Sequence, residues 1–254
     1  MIGLIGVPPL PAKDALECFL PLAKDGQVKC TMPRGHLDGW GISGFSEGRA
    51  VYFGRRAASA VEDAAAYHEA VQKAQKSQSP VILGHFRKAS TGACDISNTH
   101  PFHEHDWIFA HNGTVYGAPA SFSLMDARPQ GNTDSERLFF WILEQVRSEF
   151  DVTAALVKLL KESRPNLVFS SLTFLMSDGK TLWAYRDYGD KRLEPGETLQ
   201  EREKYYTLYT TRLNKTAVVC SEALASLSSQ WEPLAQKTLA VFTTQTPAPQ
   251  IFKI

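Results

Sequence analysis

Short apolar runs of strand length recur along this chain, and helical stretches interrupt them. That alternation constrains the fold more than any other feature. Leu4 to Val7, Ala50 to Gly54, Val81 to Arg87 and Trp107 to Ala110 read as strands. From Leu167 onward β-like runs dominate: Leu172 to Met176, Leu182 to Arg186, Tyr205 to Thr211, Ala217 to Cys220 and Leu239 to Thr243. Ser177-Asp-Gly-Lys180 has the composition of a hairpin turn. Ala12 to Leu20, Ala57 to Lys76, Glu136 to Phe150 and Val152 to Glu162 read as helices, and in the third Leu138, Phe139, Ile142, Leu143 and Val146 fall on one face. Helices set among many strands predict helices packed on stacked sheets, in one domain over residues 1–254.

The totals agree with that picture. Of 254 residues, 43% are hydrophobic, enough to build a sizeable core. Lys plus Arg and Asp plus Glu are 27 each, so the chain is neutral, and neither nucleic acid nor an anionic membrane is expected as the main partner. Cys18, Cys30, Cys94 and Cys220 are widely spaced with no CxxC pair, which predicts reduced thiols rather than a zinc ribbon or a disulfide framework. The apolar start, Met1 to Val7, has no basic segment before it and runs into Pro8-Pro9. No signal peptide is expected, and the protein is predicted to be soluble and cytoplasmic.

The chemistry concentrates between Val81 and Glu136. Arg87 ends a buried strand, where a guanidinium needs a partner: a carboxylate ligand, or an internal ion pair to Asp38 or Glu136. Asn112-Gly113 follows an apolar strand and by itself is a hairpin turn. Thr133 and Glu136 have capping-box spacing at the head of the Leu138-rich helix, and Asp134 beside them suits the positive end of the helix dipole. His100, His103 and His105 cluster in sequence, but Pro101 breaks the run, and no metal or other cofactor is expected.

In order along the chain, His36-Leu-Asp-Gly-Trp-Gly41, Gly84-His-Phe-Arg-Lys-Ala-Ser-Thr-Gly92, Asn98-Thr-His-Pro-Phe102, His111-Asn-Gly113, Gly131-Asn-Thr-Asp-Ser-Glu136 and Val219-Cys-Ser-Glu-Ala-Leu224 together resemble the glutaminase domain of class II glutamine amidotransferases, in its stand-alone single-domain form. The resemblance runs from residue 1 to about residue 225. It implies an α+β fold, the four-layer αββα sandwich of the N-terminal-nucleophile hydrolases, and cleavage of the glutamine side-chain amide. It further implies that Arg87 grips the glutamine α-carboxylate, that the Ser90-Thr91 turn adds contacts to it, and that Asp134 accepts from the α-ammonium. Asn112 and Gly113 would form the oxyanion hole. Lys88 departs from the tryptophan of many multidomain members, and Thr91 from the histidine of some.

One departure bears on the reaction itself. The family's nucleophile is a cysteine directly after the initiator methionine, and its freed α-amine is the base. Here that position is Ile2, with the family-like Gly-Leu-Ile-Gly following it. Isoleucine has no nucleophilic atom, and its bulk disfavours removal of Met1. The expectation is a pseudoenzyme: a glutamine or γ-glutamyl binding module, with amide hydrolysis lost or impaired. Two alternatives stand beside it. One is an active glutaminase or amidotransferase, using an unusual nucleophile such as Cys94 or having cysteine at the second position in its natural form. The other is a structural or regulatory subunit. Any ammonia made would serve a separate accepting enzyme.

Overall fold

The computed structural model describes residues 1–29, 32–90, 92–118, 122–246 and 248–254. Thirteen strands among them form two antiparallel sheets. The first contains β1 (Ile2–Gly6), β2 (Trp40–Ser46), β3 (Arg49–Arg56), β4 (Val81–Phe86), β9 (Tyr209–Leu213), β10 (Thr216–Cys220) and β11 (Glu232–Pro233), in the order β11-β9-β10-β1-β4-β2-β3. The second contains β5 (Phe102–Glu104), β6 (Trp107–Asn112), β7 (Thr173–Ser177), β8 (Thr181–Arg186), β12 (Thr238–Thr243) and β13 (Gln250–Lys253), in the order β13-β12-β8-β7-β6-β5. The helices are α1 (Ala12–Phe19), α2 (Leu22–Asp25), α3 (Ala64–Lys76), α4 (Asp134–Val146), α5 (Val152–Ser163) and α6 (Leu199–Tyr205).

Three apolar layers hold these elements together, and strand alternation sorts residues among them. Ile5, Leu83 and Val219 of the first sheet meet Ala110, Leu175 and Ala240 of the second, so the sheets pack face to face. Ile2, Leu4, Ile42 and Ile82 face the other way, onto Leu16 and Phe19 of α1 and Tyr67 and Val71 of α3. Phe109, Phe174 and Trp183 of the second sheet are covered by Leu138, Phe139 and Ile142 of α4 and Leu156 of α5. The architecture is therefore α+β, a four-layer αββα sandwich. Among the described residues no helix is long and apolar enough to cross a membrane.

The Ser177–Lys180 segment is the turn between β7 and β8, with Gly179 at φ +85°, where a side chain would be strained. Two expectations need correction. Ala57 to Asp63 is not helical: α3 begins at Ala64, after turns in which Ser59 Oγ accepts from Val61 N and Arg56 pairs with Asp63. Tyr205 closes a helix rather than opening a strand. Thr198 and Glu201 form a reciprocal capping box that starts α6, and β9 begins only at Tyr209. The glycine-rich stretch after His36 contains a further strand, β2, paired between β4 and β3. Its glycines are there for space: a Cβ on Gly41 would lie 2.3 Å from the His100 carbonyl oxygen, and one on Gly44 would lie 2.6 Å from Ser79 Oγ.

Candidate functional site

Strand register brings the chain start to the site. Ile2 stands opposite Gly84 on one side and Cys220 on the other. Met1 therefore falls between His85 and Ser221. Its ammonium donates to Ser221 Oγ at 2.9 Å, and its carbonyl accepts from Ser221 N at 3.0 Å. Here the ends of β4 and β6, the first turn of α4 and the residues after β10 enclose a cavity of about 90 Å³, room for several waters. Met1, His85, Arg87, Ser90, Asn112, Gly113 and Asp134 all line it. Five of the seven residues singled out from the sequence thus share one wall. Thr91 lies outside the described residues.

Ile2 is the other exception. Its side chain is fully buried but points away from the cavity, into the layer shared with Leu16 and Phe19 of α1. The residue that reaches the cavity from the chain start is Met1.

The Arg87 guanidinium is buried, and its Nη1 donates to the Ala93 carbonyl at 3.0 Å. The carboxylates weighed as its internal partners are engaged elsewhere. Asp38 accepts from Ala89 N at 2.8 Å, and Glu136 accepts from Gln130 N at 3.0 Å and Gly131 N at 2.7 Å. That use of Glu136 also corrects the capping box. Thr133 Oγ1 accepts from Glu136 N at 3.2 Å, but the glutamate holds the preceding loop rather than returning to the cap. Asp134 opens α4, and its Oδ2 accepts from Val115 N at 2.6 Å, tying the helix head to the turn after Gly113. Ser90 Oγ lies 3.3 Å from Thr114 Oγ1 across the same mouth. A Cβ on Gly113 would come within 2.2 Å of the Ser171 carbonyl oxygen, so only glycine lets the chain pass there.

Histidines form much of the remaining wall: His36, His85, His100 and His111 all line the cavity. Burial pulls His36 down to about 4; the nearby chain amine adds to this, and the Gln27 carbonyl opposes it. His85 and His100 are held well below the ordinary imidazole range, first by burial and then by neighbouring histidines. Their rings lie 4.3 Å apart. His111 is lowered by burial against the pull of Asp134. Its Nε2 donates to the Ser171 carbonyl at 3.0 Å, so its Nδ1 accepts from Ser135 Oγ at 2.9 Å. The wall is therefore of neutral imidazoles, and Arg87 stands among them as a permanent cation. Burial also lowers the chain amine, with Cys220 and Glu222 opposing.

His103 and His105 lie apart from this group. His103 bonds Ser43 Oγ at 2.9 Å and stacks on Tyr52, while His105 is exposed. Cys94 is exposed and does not line the cavity. Cys220 is buried in β10 facing α1, and Cys30 lies outside the described residues. Sequence reasoning assigned no role to His85, His111, Ser221, Glu222 or Tyr205, all of which line the cavity. Four of these sit inside the quoted motifs. Tyr205 could have been found from the Thr198–Glu201 cap.

Comparison with known proteins identifies the family and the fold. Residues 21–251 match the family model described as glutamine amidotransferases class-II. YafJ of Escherichia coli (strain K12), a candidate glutamine amidotransferase, is 31% identical over 165 residues, which cover 59% of this chain and 60% of YafJ. An uncharacterized protein of Methanocaldococcus jannaschii is 30% identical over 169 residues, covering 62% of this chain and 44% of that protein. The matched segments thus span less than two thirds of these relatives. A glutamine aminotransferase class-II domain protein from Silicibacter pomeroyi superimposes over the whole chain and 99% of its own, with TM-score 0.61 and 20% identity. The glutamine phosphoribosylpyrophosphate amidotransferase of Bacillus subtilis superimposes over 99% of this chain and 48% of its own, with TM-score 0.67 and 14% identity. These two show the fold alone, the sandwich of the N-terminal-nucleophile hydrolases. With the family model matched over most of its length, the chain belongs to the class II glutamine amidotransferases.

Proposed function

We propose that this protein binds glutamine or a γ-glutamyl compound and that its amide hydrolysis is lost or impaired, a pseudoenzyme of its family. The observation that carries the reading is the contrast at the cavity. Arg87, Asp134, Asn112 and Gly113 converge on it, while the residue at the nucleophile position, Ile2, has no reactive atom and packs under α1. In this reading Arg87 holds the α-carboxylate through charge-assisted hydrogen bonds, with Ser90 and Thr91 beside it. Asp134 accepts from the α-ammonium. Asn112 Nδ2 and Gly113 N receive the amide oxygen, as they would an oxyanion.

A substitute thiol lacks support among the described residues, since neither Cys94 nor Cys220 lines the cavity. The setting in this reading is cytoplasmic, and the bound ligand signals to, or any ammonia serves, a separate enzyme. Two measurements on the parent protein test it: calorimetric titration with glutamine and an ammonia-release assay. Binding without release supports the reading. Turnover would establish an active glutaminase, and no binding of any γ-glutamyl compound would leave a structural subunit.

A further inference from the structure

One nucleophile in the cavity has no task in the binding role proposed above. The Met1 α-amine stands at the head of β1, in the cavity wall. Strand alternation decides how it is presented. Ile2 packs under α1, and the Met1 side chain turns the other way, into the layer between the sheets with Ile5 and Leu208. That leaves the backbone end of Met1 towards the cavity. The amine donates to Ser221 Oγ at 2.9 Å, and among the described residues no carboxylate pairs with it. Glu222, beside Ser221, is engaged through Oε1 with Gln27 N at 2.8 Å. Burial holds the amine below the ordinary α-amine range, with Cys220 and Glu222 opposing, which favours the form with a free lone pair.

The rest of the wall suits a carbonyl partner for that amine. Arg87, Asn112 and Gly113 line the same cavity. By register Met1 stands opposite His85, and Arg87 follows two residues later, roughly 7 Å on at strand spacing. A ligand held at both points would keep its carboxylate at Arg87 and offer a carbonyl carbon, several bonds away, to the amine. Its carbonyl oxygen would be received by Asn112 and Gly113. A carboxamide resists attack by an amine, whereas an aldehyde does not.

We propose that the Met1 amine captures, as a reversible imine, an aldehyde that carries a carboxylate a few carbons away. The nitrogen lone pair forms a bond to the aldehyde carbon, and the carbonyl π pair moves to oxygen, which takes a proton from the amine. The resulting carbinolamine loses water: the C–O bond breaks, the oxygen leaves with both amine hydrogens, and a C=N bond remains. Nothing is oxidised or reduced. The proposal shares Arg87 as the carboxylate site with the glutamine reading, but does not need glutamine as the ligand.

The test uses the full chain, with Met1 confirmed by intact mass. It is incubated below saturation with 4-oxobutanoate or with butanal, an aldehyde of equal chain length without the carboxylate. Cyanoborohydride reduces any imine, and peptide mass mapping reads labelling at Met1 and at the exposed lysines. Relative to the lysines, 4-oxobutanoate should label Met1 at least about tenfold faster than butanal, the effect of one charge-assisted contact. Arg87→Gln should remove the difference. No labelling at Met1, equal rates for the two aldehydes in the parent chain, or a preference that survives Arg87→Gln would overturn the proposal. Calorimetric titration of the parent with glutamine separates the two readings. Glutamine binding without Met1 labelling overturns this proposal alone, and selective labelling without glutamine binding supports it and removes the other.

Discussion

The two ends of the cavity are built differently. At the proposed recognition end, Arg87, Gly113 and Asp134 come from three different layers, and each is fixed by the backbone around it: Arg87 by the Ala93 carbonyl, Asp134 by the Val115 amide, Gly113 by its passage over Ser171. At the chain-start end, the nucleophile position and the chain amine both come from one strand terminus, Met1 and Ile2. The first arrangement is over-determined, since the groups that hold the ligand residues also close the loops of the fold. The second depends on one position. In the proposed reading, a single replacement there would remove bond cleavage and leave the recognition end in place, so binding and catalysis would be separable.

The largest effect should come from restoring the missing end. Ile2→Cys is expected to raise ammonia release from none to a measurable rate. Cysteine is small enough for Met1 to be removed, which returns thiol and α-amine together. Because Ile2 points under α1, recovery requires Met1 to leave and the strand end to turn, so intact mass must show loss of the methionine in the active fraction. Activity in the parent that disappears in Cys94→Ala would break the comparison outright.

Arg87→Ala attacks the other end. It removes a charged hydrogen bond worth about 1.5–3 kcal/mol and should weaken glutamine binding at least about tenfold. Calorimetry of parent and variant reads this directly, and an unchanged Kd would show that the ligand carboxylate sits elsewhere. Gly113→Ala should lose about 1–3 kcal/mol of stability, since its Cβ meets a backbone oxygen that cannot move freely. A denaturant midpoint equal to the parent's would contradict the close passage over Ser171.

Acid should act on the wall as a whole. His36 titrates at about 4 when folded, and His85, His100 and His111 are also lowered, while the unfolded imidazoles titrate near 6.5. Between those values the unfolded chain binds more protons, so stability falls as pH drops from about 6.5 towards 4. Each such histidine contributes about 1.4 kcal/mol per pH unit. Glu136 and Glu222, raised by burial, act in the opposite direction and offset part of the loss. Thermal melts across this range, with His100→Gln as a comparison, would show the slope, and a flat profile would mean that the folded wall takes up protons as readily as the unfolded chain. The smallest effect is Thr133→Ala, which removes the cap of α4 and should cost about 1 kcal/mol, read from the same melts.

Much of this was open to reading from the residues alone. The order of the motifs pointed to the sandwich, and the recognition end could be named because each of its residues sits in a short local pattern: an arginine ending an apolar run, an Asn-Gly turn, a capped helix head. Local patterns are legible because backbone geometry and side-chain chemistry act within a few positions. What remained hidden depends on distant pairing. The strand Trp40–Ser46 has no clear local signal, and only the packing of His100 against Gly41 explains its glycines. Ile2 marks the nucleophile position in the sequence, but only register against Gly84 and Cys220 turns it under α1 and leaves Met1 at the cavity. The neutral imidazole wall gathers residues 36, 85, 100 and 111. The amino-acid sequence determined which groups exist and which local turns present them. Tertiary structure alone decided which face one another, because burial, which sets their protonation and their partners, belongs to the packed sheets and not to any segment.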